Sequence, residues 1–156
     1  MPKVSIIMPS FNVAPYIKEC MDSVVNQTLQ DIEIIVVDAF STDGTREILK
    51  DYAKKDKRII ILDDDKGSTG YSNNKALKQA KGEYIGIVET DDFVANDMFE
   101  KLYNIAVSNN CDIVKGDYES FSGAGANRLY VHHNLLQQPW KYDQVINPLK
   151  DKKILA

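Results

Sequence analysis

Cysteine is scarce in this sequence, and that scarcity closes off several chemistries. Only Cys20 and Cys111 occur in 156 residues. They show no metal-type spacing, and both read as buried reduced thiols, which suit a reducing compartment. One sits on a helical apolar stripe and the other at a strand edge. Long hydrophobic runs are also missing: none approaches the roughly 20 residues of a membrane span, and no secretory-type segment opens the sequence. Nor is there a basic excess. Nineteen Lys and Arg against 23 Asp and Glu give a net charge of −4 and a pI of about 5.2, so no nucleic-acid partner is expected. A cytoplasmic location is expected, with peripheral association at the inner membrane face left open. Glycine and proline are few, at eight and five. No Gly-rich turn follows the first apolar run, which argues against a dinucleotide-binding oxidoreductase. That run ends in Pro9-Ser10-Phe11 rather than an acidic pair, which argues against a phosphoacceptor receiver.

What is present is an ordinary globular composition, 44% hydrophobic and 27% charged, in a length that buries roughly 70% of its unfolded surface as one domain. Strands are expected at Lys3–Met8, Ile32–Val37, Arg58–Leu62, Tyr84–Val88 and Asp112–Val114. Between them run helical apolar spacings: Ile17, Cys20, Met21, Val24 and Val25, then Ile48, Leu49, Tyr52 and Ala53. A third helix spans about Tyr71–Ala80, and a fourth carries Met98, Phe99, Leu102, Tyr103 and Ala106. Asn12 is the expected cap of the first helix, with Pro15 in its first turn, and Ser41 or Thr42 that of the second, beside Asp43. Gly82 suits a left-handed cap. This alternation predicts an α/β fold with a mostly parallel sheet flanked by helices. Beyond Lys115 the pattern weakens to a hairpin, Tyr118–Phe121 with Arg128–His132. Apolar residues from Trp140 to Leu149 follow without a recognisable element, and the sequence reads as truncated at its C-terminal end.

Two carboxylate stations stand just past strand ends: Asp38, and Glu89-Thr90-Asp91-Asp92. Ligands of open α/β sheets bind beyond the carboxyl ends of the strands. Acids placed there suit a divalent cation, Mn2+ or Mg2+, that also holds phosphate oxygens. Three carboxylates buried together would repel each other without a cation, and at least one pKa would rise. Phe11 either stacks on a base or closes the core behind the first strand. Asp38 either accepts hydrogen bonds from a base or ribose or serves the turn. The stretch from Lys66 to Asn74 leads into a helix whose free N–H groups suit a phosphate. Asp63-Asp64-Asp65 reads as a solvated loop. His132 and His133, adjacent on a strand, point to opposite faces and cannot share an ion.

Four segments together carry a resemblance: Val4 to Asn12; Ile34 to Asp38 with Ser41-Thr42-Asp43-Gly44; Ala80 to Tyr84; and Glu89-Thr90-Asp91-Asp92. In that order and spacing they resemble the family-two inverting glycosyltransferases of the GT-A (Rossmann-like) fold, over about Lys3–Tyr118. The resemblance implies transfer of a sugar from a nucleotide-diphosphate donor, a UDP-sugar above all, to an acceptor hydroxyl with inversion. The acceptor would be a glycan or lipid-linked molecule in surface polysaccharide or glycoconjugate synthesis. It also implies donor-binding roles for Pro9, Phe11, Asp38, Asn73, Asn74, Glu89, Thr90 and Asp91. Phe11 would stack on uracil and Asp38 would contact the base. Asp91 would ligate the metal, with Asp92 beside it as a further ligand, as a partner to the ligands or as a cap for the following segment, and Glu89 would reach ribose or a metal-bound water.

The sequence departs from the family at three places. Asp38-Ala39-Phe40-Ser41 replaces Asp-Asp-Gly-Ser, Asn73 stands where an arginine is usual, and Glu89 replaces the first aspartate of D-x-D. Lys66 is one substitute for the missing arginine. Residues 1–121 are expected to form the nucleotide-sugar-binding core and 122–156 the start of an acceptor-side segment. The family's catalytic base lies downstream, beyond the chain end, and Asp117 and Glu119 are the nearby in-chain substitutes. The alternative is a catalytically weak donor-binding module or pseudoenzyme.

Overall fold

The computed structural model describes residues 1–65, 67–122, 127–133 and 145. They fall into two compact units, Met1–Tyr103 and the part that starts at Asn104. In the first unit four strands form one parallel sheet: β1 (Val4–Ser10), β2 (Ile32–Asp38), β3 (Ile59–Asp63) and β4 (Tyr84–Ile87), in the order β3-β2-β1-β4. Helices α1 (Ile17–Val25), α2 (Thr45–Lys55) and α3 (Thr69–Leu77) connect them, and α4 (Met98–Asn109) follows.

Alternation along the strands sorts the core into two layers. Val4, Ile6 and Met8 of β1 and Ile34 and Val36 of β2 pack with Ile17, Cys20, Met21 and Val24 of α1, Leu49 of α2 and Phe99 of α4. On the other face Ile7, Ile35 and Val37 meet Ala76 of α3. Each fully buried aliphatic side chain contributes roughly 1.5–3 kcal/mol, so the central pair β1–β2 anchors the unit.

Four expectations fail for physical reasons. The apolar runs suggest strands buried on both faces, which holds for β1 and β2 only. β3 and β4 are the outer strands, and Ile85 and Ile87 of β4 are exposed. An edge strand and a central strand read alike as short apolar runs. Asn12 does not cap α1; it takes a positive φ of 52° and its side chain accepts a hydrogen bond from the Thr42 N–H. Neither Ser41 nor Thr42 caps α2. Gly44, at φ 102°, occupies that position, while Asp43 accepts from the Thr45 N–H. Asp112–Val114 forms no strand and Cys111 lies on none.

Helix α3 begins two residues earlier than its apolar spacing suggests, because Ser68 accepts from the Tyr71 N–H as its cap. In the second unit, β5 (Tyr118–Ser122) and β6 (Leu129–His133) pair as the expected antiparallel hairpin. Among the described residues no helix is long and apolar enough to cross a membrane. The apolar residues Trp140, Tyr142, Ile146 and Leu149 lie outside the described residues.

Candidate functional site

Strand register brings the carboxyl ends level. Ser10 pairs with Asp38, and Asp38 with Asp63. β4 runs beside β1 until the Val88 N–H donates to Ile7 O, after which the acidic turn begins. Thr90 is buried and its Oγ1 donates to Pro9 O at 2.9 Å, which ties this turn to the end of β1. From behind, the Cys20 thiol donates to Glu89 O at 3.6 Å. Gln27, fully buried, donates through Nε2 to Ala95 O at 2.7 Å and accepts the Phe99 N–H at 3.1 Å. The Ser23 hydroxyl accepts the Val94 N–H. The acidic turn and the segment after it are therefore tied to α1 and to Gln27 just beyond it, bonds that nothing in the sequence signals.

An open pocket of about 230 Å³ lies at these ends. Its walls are Pro9, Ser10, Phe11, Val13, Ala39, Gly67, Ser68, Thr69, Ser72, Glu89, Thr90 and Asp91. Five of the residues singled out in the sequence, Pro9, Phe11, Glu89, Thr90 and Asp91, thus share one cavity. Phe11 is 60% exposed, which disposes of a core role for its ring. Of the other lining residues, Ser10 and Ala39 fall in segments the resemblance rests on or departs from, Gly67, Ser68, Thr69 and Ser72 belong to the loop weighed as a phosphate site, and Val13 carries no sequence signal.

The remaining site residues stand outside that lining. Asp38 is fully buried; its Oδ1 accepts from Ser41 Oγ at 2.6 Å and its Oδ2 from Arg46 Nη1 at 2.8 Å. Arg46 also pairs with Asp63, and its guanidinium carbon lies 5.6 Å from the Phe40 ring centroid. Phe40 itself takes a left-handed φ of 55°, the conformation that glycine supplies without strain. Asn73 has a buried Oδ1 without a hydrogen-bond partner, and Asn74 is exposed. Asp92 stands beside the cavity, its N–H donating to Glu89 O at 3.1 Å. Lys66 lies outside the described residues.

The expected solvated triplet, Asp63-Asp64-Asp65, is corrected as well. Asp64 is buried: its Oδ2 accepts from Ser72 Oγ at 2.5 Å, its Oδ1 from the Gly67 N–H, and its own N–H donates to Asp38 O. It thereby fixes the wall formed by the start of α3. A run of three acids hides the one that turns inward.

The carboxylates of Glu89, Asp91 and Asp92 are not the buried cluster expected. All three residues are exposed at the mouth. Partial burial, and then the charges of Asp91 and Asp92, still raise the Glu89 carboxyl above its ordinary range. Asp92 is raised by burial and by Asp91. Cys20 is pushed up to about 12, chiefly by burial and then by Asp92 and Asp91, so it is an inert thiol.

This donor set fits a hard divalent cation. Glu89 and Asp91 face one cavity, and their mutual repulsion is the electrostatic cost a cation relieves. Among the described residues no group of three or more His, Cys, Asp or Glu is arranged to hold a metal. A cation held here would take one or two carboxylates from the protein and its other ligands from phosphate and water, the usual habit of magnesium-type sites.

In the second unit, His132 lies 3.6 Å from both Asp117 and Glu119, while His133 stacks on Tyr118 and bonds to the Ser120 hydroxyl. The two histidines do face opposite ways.

Comparison with known proteins bears on this arrangement. The chain is 46% identical over 131 residues to the uncharacterized glycosyltransferase EpsJ of Bacillus subtilis, covering 83% of this chain and 37% of that protein. It is 39% identical over 127 residues to the poly(ribitol-phosphate) beta-glucosyltransferase of Bacillus spizizenii, covering 79% and 20%. Among solved structures, S. aureus TarS 1–349 in complex with UDP superposes with a TM-score of 0.65 at 30% identity, over 69% of this chain and 33% of that one. The mannosyltransferase PcManGT of Pyrobaculum calidifontis, solved with GDP-Man and Mn2+, gives 0.59 at 29%, over 67% and 31%. The chain thus spans well under half the length of these relatives. The family model described as glycosyl transferase family 2 matches residues 5–155, and with the parallel sheet and its acidic strand ends in view, the chain belongs to that family and carries the GT-A fold.

Proposed function

We propose that the pocket holds the nucleoside diphosphate of a sugar donor, of the UDP type, and that the protein passes the sugar to an acceptor hydroxyl with inversion at the anomeric carbon. The observation that carries this reading is the meeting of Phe11, Glu89 and Asp91 with the start of α3 in one cavity. Phe11 offers its face to the base, a contact worth roughly 1–3 kcal/mol. Pro9 and Thr90 brace the wall between base and acids. The free N–H groups at the start of α3 favour a phosphate. Asp91, with Asp92 beside it, would hold a divalent cation, while Glu89 would reach ribose or a water on that cation. When bound, the cation supplies charge neutralisation for the departing diphosphate.

A carboxylate base must take the proton of the incoming hydroxyl. That base would come from the acceptor half, downstream of the donor-binding residues. On this reading residues 1–121 serve the donor and residues 122–156 begin the acceptor side. A glycan or lipid-linked acceptor, met at the inner face of the membrane during surface polysaccharide synthesis, suits the glucosyltransferase relative, whose name gives poly(ribitol-phosphate).

Sugar-transfer assays with this chain and with a form extended downstream test the reading. The 156 residues are expected to bind UDP with little or no turnover, and the extended form to transfer. Robust transfer by the 156 residues alone contradicts the downstream base, and absence of UDP binding contradicts the site itself.

A further inference from the structure

The base end of the pocket offers no free carboxylate, and this decides how a nucleobase is read there. The inference rests on the donor-pocket reading above. Asp38, the acid expected to contact the base, is fully buried and engaged by the Ser41 hydroxyl and Arg46. Arg46 pairs with Asp63 as well, so a guanidinium bolts the ends of β2 and β3 together with the Asp38 carboxylate inside. The residue that lines the cavity after β2 is Ala39, whose side chain is a methyl group.

Neighbouring backbone acceptors are engaged too. Pro9 O accepts from Thr90, Ser10 O from the Ala39 N–H, and Asp38 O from the Asp64 N–H. The residues that line the cavity here are Phe11, Val13 and Ala39, none of which carries a carboxylate. Ser10 also lines it; it is 4% exposed and its Oγ has no hydrogen-bond partner. A hydroxyl donates or accepts equally well.

We infer that this protein holds the nucleobase by its face rather than reading its edge with a carboxylate. The pocket thus takes UDP and CDP alike and does not itself select the UDP-type donor named above, and Ala39 is the residue that sets this tolerance. At N3 the two pyrimidines differ in sign. Uracil presents an N3–H donor, cytosine a bare N3 acceptor, and a carboxylate only accepts. A carboxylate aimed at N3 would therefore prefer uracil. Ring stacking with a hydroxyl takes both.

Calorimetric titration with Mn2+ present, using UDP, CDP and N3-methyl-UDP, tests this on the native chain and on Ala39→Asp. The native chain is expected to bind all three within about threefold, and Ala39→Asp to favour UDP over the other two by about tenfold or more, as charged hydrogen bonds do. A loss of about tenfold on N3 methylation in the native chain overturns the inference while leaving the pocket assignment standing. Unchanged ratios in a folded Ala39→Asp overturn the role of position 39; should that variant fail to fold, the native series decides. Failure of all three ligands to bind the native chain overturns the donor-pocket reading and this inference with it.

Discussion

Gly82→Ala is expected to destabilise the first unit by about 3 kcal/mol, roughly a 6–12 °C fall in Tm for a chain of this size. A Cβ at position 82 would lie 2.4 Å from the Ser5 backbone nitrogen, 2.6 Å from its hydroxyl oxygen and 2.8 Å from the Val4 carbonyl carbon. Two of these three atoms are backbone of the central strand β1, so no side chain can swing aside. The displaced segment would also lose the bond from the Gly82 N–H to Ser5 Oγ at 2.7 Å. That hydroxyl in turn donates to Glu33 at 2.5 Å, and Glu33 accepts the Lys81 N–H. The whole cluster locks the amino ends of β1, β2 and β4. Thermal melting followed by circular dichroism checks the value; a change below about 0.5 kcal/mol, the level of an ordinary surface substitution, would contradict this packing. The same contact explains why position 82 holds glycine. Its φ is not left-handed, as the cap reading expected; close approach to Ser5 excludes any side chain.

Asp91→Asn is expected to abolish the benefit of Mn2+ to nucleoside diphosphate binding, a loss of at least about tenfold in affinity, or ~1.4 kcal/mol, while binding without metal changes little. The amide keeps the shape but removes the negative charge that a hard cation seeks. Acidity supplies a control with a defined sign. Glu89 and Asp92 hold their protons to higher pH in the fold than ordinary carboxyls do. Their raised values make ionisation costly to the folded state: the cost is absent at low pH, where the acids are protonated folded or unfolded. It grows as pH rises past their unfolded values and is complete above the folded ones. A cation relieves that cost, so Mn2+ should raise Tm at neutral pH, and the gain should shrink as pH falls through the raised values. Paired calorimetric titrations and melts, native against Asp91→Asn, check both statements. Persistence of the full Mn2+ effect in the variant would move the metal elsewhere.

Much of the fold was legible because its physics is local. Apolar runs and helical spacings place the four strands of the parallel sheet and the four helices, and Glu89 and Asp91 line one cavity as their position past a strand end suggests. What escaped was non-local. The partner that buries Asp38 is Arg46, eight residues on and in the next helix, and no pattern within β2 announces it. Asp64 looks like its neighbours until the start of α3 folds over it. Whether Ile85 and Ile87 are covered depends on strand order, which apolar runs do not encode. Phe40 holds a left-handed turn where the family uses glycine, so the loss of a local signal did not mean the loss of the turn.

The central claim is that Asp91 brings a cation and a diphosphate together in the cavity walled by Phe11, Ala39 and Ser68. Crystals of the chain grown with UDP and Mn2+, measured at the manganese absorption edge, test it most directly. The expected result is an anomalous peak about 2.1 Å from an Asp91 carboxylate oxygen, the spacing of a hard divalent cation, bridged to phosphate oxygens. A manganese peak remote from Asp91, with UDP seated elsewhere or absent from the cavity, would contradict the account.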